Sequence, residues 1–363
     1  MNSVRPLHGV KVVDLTANIA GPFAGAVLAD LGADVLHVEN VTGDDSRRMT
    51  PTVGDASAYW HVVNRGKRVI ALDIRESADR AALDDLIASC DVFITNLRPG
   101  KLEQLGLDAG TVRAAHPRLI HGSLSAYGNG GDERDRAGYD GVLQARVGIA
   151  SVTGEHDGPP VRAGVSILDV GSGTWLALGV LAALLHRERT GEGCDVGTSL
   201  FETGMNWVGY HVAANQITGE ASERFGSGHP AFAPYGIYAA ADGQVCLGIG
   251  SDALFAKLCE ALACEELTAD PRYSSNEARV KHDAQLRGEL EQRFSKEPAR
   301  VLVARLVAAG LPCDVVQRPE ALLSDPQARA VSAFRPVTVG NDLEIEIPGL
   351  PIRLNGERPS GSD

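Results

Sequence analysis

Residues 10–39 read VKVVDLTANIAGPFAGAVLADLGADVLHVE. A β-rich run at 10–15 leads into a glycine-containing turn. Small apolar residues then follow at helical spacing over 22–31, with Pro22 suited to a first helical turn. A second β-rich run, 34–38, ends at Glu39. This is how a parallel βαβ unit opens. The rhythm continues with strand signals at 69–72, 92–95 and 119–123 and helical spacing over 80–89. It predicts an α/β fold whose large domain is Rossmann-like, a mostly parallel sheet with helices on both faces. In such sheets ligands bind at the carboxyl ends of the strands.

The first turn is not a dinucleotide fingerprint. It reads IAGPFAG at 19–25, without the G-x-G-x-x-G spacing, and Pro22 removes a backbone N–H where a pyrophosphate needs donors. NAD is therefore not expected. No P-loop, G-x-S-x-G elbow or H-E-x-x-H pair occurs in the sequence.

Downstream, helical character runs over 173–189 and stops at TGEG, 190–193, then resumes over 199–217. Residues 219–234 are rich in Gly, Ser, Pro and charge and read as a linker. A hairpin pattern follows at 236–249, turning at Asp242-Gly243, and then amphipathic helices at 253–262, 283–294 and 298–309. The tail at 334–354 reads as strands that return to the first domain. The expected organisation is a large domain of 1–218 completed by 325–363. Residues 219–324 form the linker and a smaller α+β domain.

The chain has 363 residues, room for about two domains. Its net charge of −13 argues against nucleic acid or an anionic membrane as a partner. Cys90, Cys194, Cys246, Cys259, Cys264 and Cys313 form no CxxC pair and no zinc-like cluster, so no metal is expected and the thiols read as reduced. The N-terminus has no apolar leader, and the apolar stretch at 175–185 is glycine-broken and too short to cross a bilayer. The expected location is cytoplasmic.

Three stretches carry candidate chemistry. NRGKR at 64–68, with Arg75 and Arg80 beyond it, reads either as a solvated charge run or as a source of phosphate contacts from Lys67, Arg68 or Arg75. NLRPG at 96–100 follows a strand directly and offers Asn96 and backbone groups to a ligand. In the third, the apolar run 165–168 delivers Asp169 to a GSG-opened helix. Asp169 reads as a helix N-cap or as a nucleophile, and the two roles are compatible. A helix N-terminus would hold the carboxylate ionised, and Gly171 and Gly173 would leave room for a bulky thioester.

These motifs, taken in order, resemble the family III CoA-transferases, the group of formyl-CoA transferase and carnitine CoA-transferase. The similarity includes AGP at 20–22, LADLGAD at 28–34, NRGKR, NLRPG, GYD at 138–140, Asp169, TGEG at 190–193, HP at 229–230, PY at 234–235 and DPR at 270–272. The resemblance implies two domains per subunit and an interlocked, ring-like homodimer. It assigns catalysis to Asp169. It assigns CoA contacts to Thr16, Ala17, Asn18 and Ala20, to Leu72, Asp73 and Arg75, and to Asn96 and Leu97. Arg68, Arg75 and Arg98 would help with the phosphates, and Tyr139 would lie against the substrate. The substrates would be an acyl-CoA donor and a carboxylic acid acceptor. CoA would pass through a mixed anhydride and an aspartyl-CoA thioester, with no ATP or metal. Gly226, Gly228 and His229 read either as a mobile lid that donates to oxyanions or as plain linker. His229, Phe232, Tyr235, Tyr139 and Trp207 are candidates for the acyl pocket or for ordinary packing.

Two departures stand out. Asn40 and Gln104 occupy positions that are basic in some transferases. The same family contains α-methylacyl-CoA racemases, whose catalytic His falls where this chain has Tyr139, a poor base at neutral pH. Racemisation and non-catalytic CoA binding are the alternatives to transfer.

Overall fold

The computed structural model describes residues 4–54, 56–340 and 342–359. The chain divides into two compact units. One comprises Met1–Ile149, Arg162–Gly219 and Leu323–Asp363, and the other Ala150–Val161 and Glu220–Leu322.

The first unit is built on six strands: β1 (Lys11–Leu15), β2 (Asp34–Glu39), β3 (Arg68–Ala71), β4 (Val92–Thr95), β5 (Ile120–Ser125) and β6 (Asp195–Ser199). They lie in the order β3-β2-β1-β4-β5-β6, and every neighbouring pair is parallel. Strand order therefore reverses between β1 and β4, which leaves a crevice at their carboxyl ends. Alternation along the strands fills two cores. Val12, Ile94 and Ile120 face one side, against α1 (Ala20–Asp30) and the later helix α4 (Ile167–Thr190). Val13 and Phe93 face the other, against Leu83 and Ile87 of α2 (Ser77–Ser89).

Strand β6 is absent from the sequence reading. GCDVGTS at 193–199 has little apolar content, and only its parallel register with β5 makes it a strand. Helix α4 starts at Ile167 rather than at 173, so Asp169 lies inside its first turn. At 24 residues α4 is long and apolar enough to cross a membrane by length and composition. Here it packs Leu176 and Val180 into the core of the sheet. The helix expected over 199–217 is two helices, α5 (Leu200–Trp207) and α6 (Gly209–Thr218), broken at Val208.

In the second unit, β7 (Tyr235–Ala239), β8 (Gln244–Gly248) and β9 (Cys313–Val315) form an antiparallel sheet, β9-β8-β7. Helices Asp252–Ala261, Asp283–Phe294 and Ala299–Ala308 cover it through Phe255, Leu290 and Leu302. The sequence reading places residues 150–161 in the large domain. Here Arg224 gathers them into the second unit, donating to the carbonyls of Ser151, Glu155, His156 and Gly158, the last at 2.7 Å. Gly226 N adds a bond to Gly154 O at 2.9 Å. The tail forms an antiparallel hairpin, β10 (Phe334–Val339) and β11 (Leu343–Pro348). It belongs to the first unit, where Arg335 pairs with buried Asp30 at 3.0 Å, and Arg65 pairs with the same acid at 2.7 Å.

Beneath the crevice lies a buried ionic cluster. Asp14 on β1 accepts from Lys67 Nζ at 2.8 Å and faces His37 Nδ1 at 3.2 Å. Lys67 also donates to Pro22 O and Asn64 Oδ1, both at 2.7 Å. Burial pushes the Asp14 carboxyl up, but the charges of Lys67 and His37 more than offset it and hold it well below the usual range. Burial pulls the Lys67 ammonium down, and Asp14 offsets this only in part. Gly25 makes room for the pair, since a Cβ there would sit 2.5 Å from Asp14 Oδ2. Asp14→Asn or Lys67→Met alone should therefore destabilise the first unit by about 3–5 kcal/mol, because each strands the other partner. The double variant should recover most of that loss. Denaturant midpoints of the four proteins check this; additive losses would exclude the coupling.

Candidate active site

The carboxyl ends of β1 and β4 open into a cavity of about 300 Å³. Its walls come from the loop after β1 (Ala17, Asn18, Ala20), the loop after β4 (Asn96, Arg98), the strap before α3 (Asp140–Arg146), and Asp169 of α4. The two loops clamp each other. Ala17 N donates to Asn96 Oδ1 at 2.9 Å, and Asn96 Nδ2 donates back to Ala17 O at 2.7 Å. Asn18 takes the left-handed conformation (φ 66°), which Asn tolerates better than most residues, and its amide donates to Asp44 Oδ2 at 3.1 Å. Below them Thr16 Oγ1 donates to Asp14 Oδ1. The loop is thus tied to the buried ionic cluster. Helix α1 starts at Ala20, which lines the cavity; Pro22 has no N–H and Phe23 N donates to Ile19 O at 2.8 Å, so only the Ala20 and Gly21 amides of the first turn have no partner within the helix.

Asp169 is partly buried. Among the described residues, no hydrogen bond or ion pair reaches its carboxylate. The helix was expected to hold this group ionised. Its surroundings instead disfavour the charged form. Burial, and then the charge of Asp140, push its carboxyl up to about 7. The amides that would have stabilised it are taken: Asp140 Oδ2 accepts from Leu168 N at 2.7 Å and from Asp169 N at 3.3 Å. Asp169 is therefore not the cap of α4. Asp140, from another helix, does that work.

The structure brings Ala17, Asn18, Ala20, Asn96, Arg98, Tyr139 and Asp169 to one cavity. Leu97 lines an adjoining groove that shares Arg98 and includes Lys101 and Gln104. Leu72, Asp73 and Arg75 lie at the end of β3, two strands from β1, roughly 10 Å away by strand spacing. There Arg75 pairs with Asp73 at 2.7 Å, and their mutual hydrogen bond holds the Asp73 carboxyl down at about 2. Lys67 is enclosed between β1 and α1, and exposed Arg68 pairs with Asp34 at 2.8 Å, so neither lines the cavity.

The two glycines do not make room for substrate. A Cβ on Gly171 would sit 2.3 Å from the Trp207 ring, and one on Gly173 would sit 2.4 Å from Ala20 O. Both permit close packing of α4. In the second unit, Gly226 N and Gly228 N already donate to Gly154 O and Phe225 O, so neither amide is open to an oxyanion. His229 stacks between Phe232 and Tyr235, with ring centroids 5.0 and 5.4 Å away.

Sequence reasoning missed Arg136, Ser125 and Met49, which also line the cavity, and the tuning role of Asp140. GYD at 138–140 was the available signal for Asp140, but its partner is 28 residues away. Among the described residues no three His, Cys, Asp or Glu side chains converge as a metal set.

The same architecture recurs among known proteins. The model of CoA-transferase family III matches residues 7–362. A succinate–glutarate CoA-transferase of Agrobacterium fabrum is 36% identical, over 99% of this chain and 93% of that protein. An acetyl-CoA:oxalate CoA-transferase of Acetobacter aceti is 34% identical, over 98% and 92%. The human succinyl-CoA:glutarate CoA-transferase is also 34% identical, over 98% of this chain and 82% of its own. A crystal structure of a CaiB/BaiF family protein from Brucella suis superimposes with a TM-score of 0.88 at 34% identity, covering 100% of this chain and 96% of that one. With sequence and fold both matched from end to end, the chain belongs to CoA-transferase family III and is a CoA-transferase.

Proposed function

We propose that this enzyme moves CoA from an acyl-CoA to a dicarboxylic acid through covalent intermediates on Asp169. One observation carries the reading: a carboxylate without a partner, pushed up to about 7, stands in the cavity at the switch point of the sheet. A more basic carboxylate is a better nucleophile, and at neutral pH a large fraction of it is still ionised. It attacks the thioester carbonyl and CoA leaves as thiolate, giving a mixed anhydride. The thiolate then attacks the Asp169 acyl carbon and expels the donor's carboxylate, giving the aspartyl-CoA thioester. The acceptor carboxylate enters by the reverse of these steps. Each exchange conserves an activated acyl group.

Arg98 and Arg136 support an acceptor with a second carboxylate. Both residues line the same cavity as Asp169. Among the described residues, the Arg98 side chain makes only a 3.4 Å contact to Asp135 O, while Arg136 is held by Glu133 and lies 5.1 Å over Tyr127. The relatives act on succinyl, glutarate or oxalate groups by name. The CoA nucleotide would extend along the groove holding Leu97 and Lys101, or across the strand ends toward Arg75. Racemisation is not favoured, since no histidine is among the residues lining the cavity.

A second copy of the chain is also part of this reading. Helix α6 has no buried residue, and its Tyr210 and Ile217 are 59% and 85% exposed. Trp175, Leu178 and Leu185 lie exposed on α4. Apolar surface on that scale needs a partner, and the family resemblance supplies an interlocked copy.

Four outcomes are expected. Asp169→Ala should lose transfer by at least about 10³-fold, and hydroxylamine should trap the wild-type intermediate as a hydroxamate on the Asp169 peptide; unchanged turnover overturns the assignment. The rate at limiting acyl-CoA should fall about tenfold per pH unit below 7 and level off above it, since only ionised Asp169 attacks. Because this group titrates above its ordinary 3.8 in the folded chain, its ionisation opposes folding. That penalty is absent below pH 4, grows as pH rises and is complete above 7. Asp169→Asn should therefore melt about 5 °C higher at pH 8, with the gain vanishing near pH 4. Finally, the wild type should sediment as a dimer, and Leu178→Asp with Ile217→Asp should sediment as a monomer.

A further inference from the structure

Helix α4 has no cap of its own, because Ser166 makes no capping bond. Its first-turn amides are instead held by Asp140 Oδ2, from Leu168 N at 2.7 Å and Asp169 N at 3.3 Å. The other oxygen, Oδ1, accepts from Gln144 Nε2 at 2.5 Å. Gln144 in turn accepts from Ala163 N at 2.9 Å, on the strap that leads into α4. Asp140 and Gln144 lie one turn apart on α3 and both are buried. The assembly is fixed. It places a second acidic side chain beside the nucleophile.

A neutral side chain would cap the helix as well, since Asn and Ser rank with Asp at this task. A charged one beside Asp169 works against the ionised nucleophile. The other charged and titratable groups sharing the cavity with Asp169 are Arg98 after β4, and Arg136 and Tyr139 on the strap before α3. No cation among them offsets the opposition.

We propose that Asp140 is a positioning residue whose fixed negative charge drives Asp169 from its carboxylate into its neutral acyl forms. The proposal rests on the reading of Asp169 as nucleophile. When Asp169 attacks the thioester, the C–S bond breaks and the negative charge leaves with the CoA sulfur. When the thiolate attacks the aspartyl carbon, the C–O bond of the anhydride breaks and the charge leaves with the donor acid. In both covalent stages the side chain facing Asp140 is neutral and the like-charge opposition is relieved. The return step restores it. Asp140 thus raises the share of enzyme held as aspartyl thioester, the form that waits for the acceptor, without touching substrate.

The test uses the full-length enzyme with succinyl-CoA. Hydroxylamine trapping of wild type at pH 8.5 must first give the Asp169 hydroxamate; its absence takes down the nucleophile reading and this inference together. Asp140→Asn keeps one oxygen acceptor for the Leu168 amide and removes the charge at the cost of the Gln144 Nε2 contact, and Asp140→Ser is a second uncharged variant should the first not fold. With the hydroxamate established in wild type, the neutral variants should move the acid limb of kcat/KM down by about one pH unit. At pH 8.5, where Asp169 is ionised in every protein, the ratio of trapped thioester to free enzyme should fall about tenfold, the equilibrium equivalent of that shift. A folded variant that loses rate with its acid limb and trapped ratio unchanged would show that Asp140 only shapes the helix, and the proposal would be wrong.

Discussion

Helix α4 touches the backbone of α1 at Gly173, where a Cβ would sit 2.4 Å from Ala20 O. Four residues upstream on the same helix is Asp169, and Ala20 is where the loop after β1 becomes α1. This one close approach sets how far Asp169 lies from the loop that faces it. Any larger residue at 173 would push the two helices apart. The cavity then depends on where the sheet reverses. Between β1 and β4 the chain runs outward in both directions, so the loops after these strands part, and Ala17, Asn18, Asn96 and Arg98 come to the gap.

Charge is treated in two ways in this unit. Asp14, enclosed with Lys67 and His37, and Asp30, enclosed with Arg65 and Arg335, are paired on every side. Their task is to fix the architecture: Asp14 joins β1 to the segment before β3, and Asp30 joins α1 to the tail hairpin. Asp169 has the reverse surroundings. It is desolvated, faces another carboxylate and draws no donor from its own helix. A fold that pairs its enclosed acids and leaves Asp169 uncompensated has placed an electrostatic cost at the residue proposed as nucleophile.

The motifs of the first half were legible because each sits where backbone chemistry demands it. IAGPFAG begins a helix after a strand, and NLRPG turns off the end of another. Asp169 was legible as a carboxylate at the end of an apolar run. Its ionisation was not, because a helix N-terminus predicts stabilisation unless its amides are already engaged, and the group that engages them is Asp140 on α3. Gly171 and Gly173 were read as space for substrate, whereas they are space for Trp207 and for α1. Small residues announce a close approach without saying what approaches.

From the sequence by itself follow the parallel α/β layer, the smaller α+β unit, the family and the candidacy of Asp169, because these rest on local periodicity and on motifs contiguous in the chain. Tertiary structure alone decided that GCDVGTS is a strand, that Lys67 serves the interior rather than a phosphate, and that residues 150–161 belong with Arg224. It alone decided that Asp169 is a basic, unpartnered carboxylate. Burial and neighbouring charge determine each of these, and both depend on residues far apart in the chain that only the fold brings together.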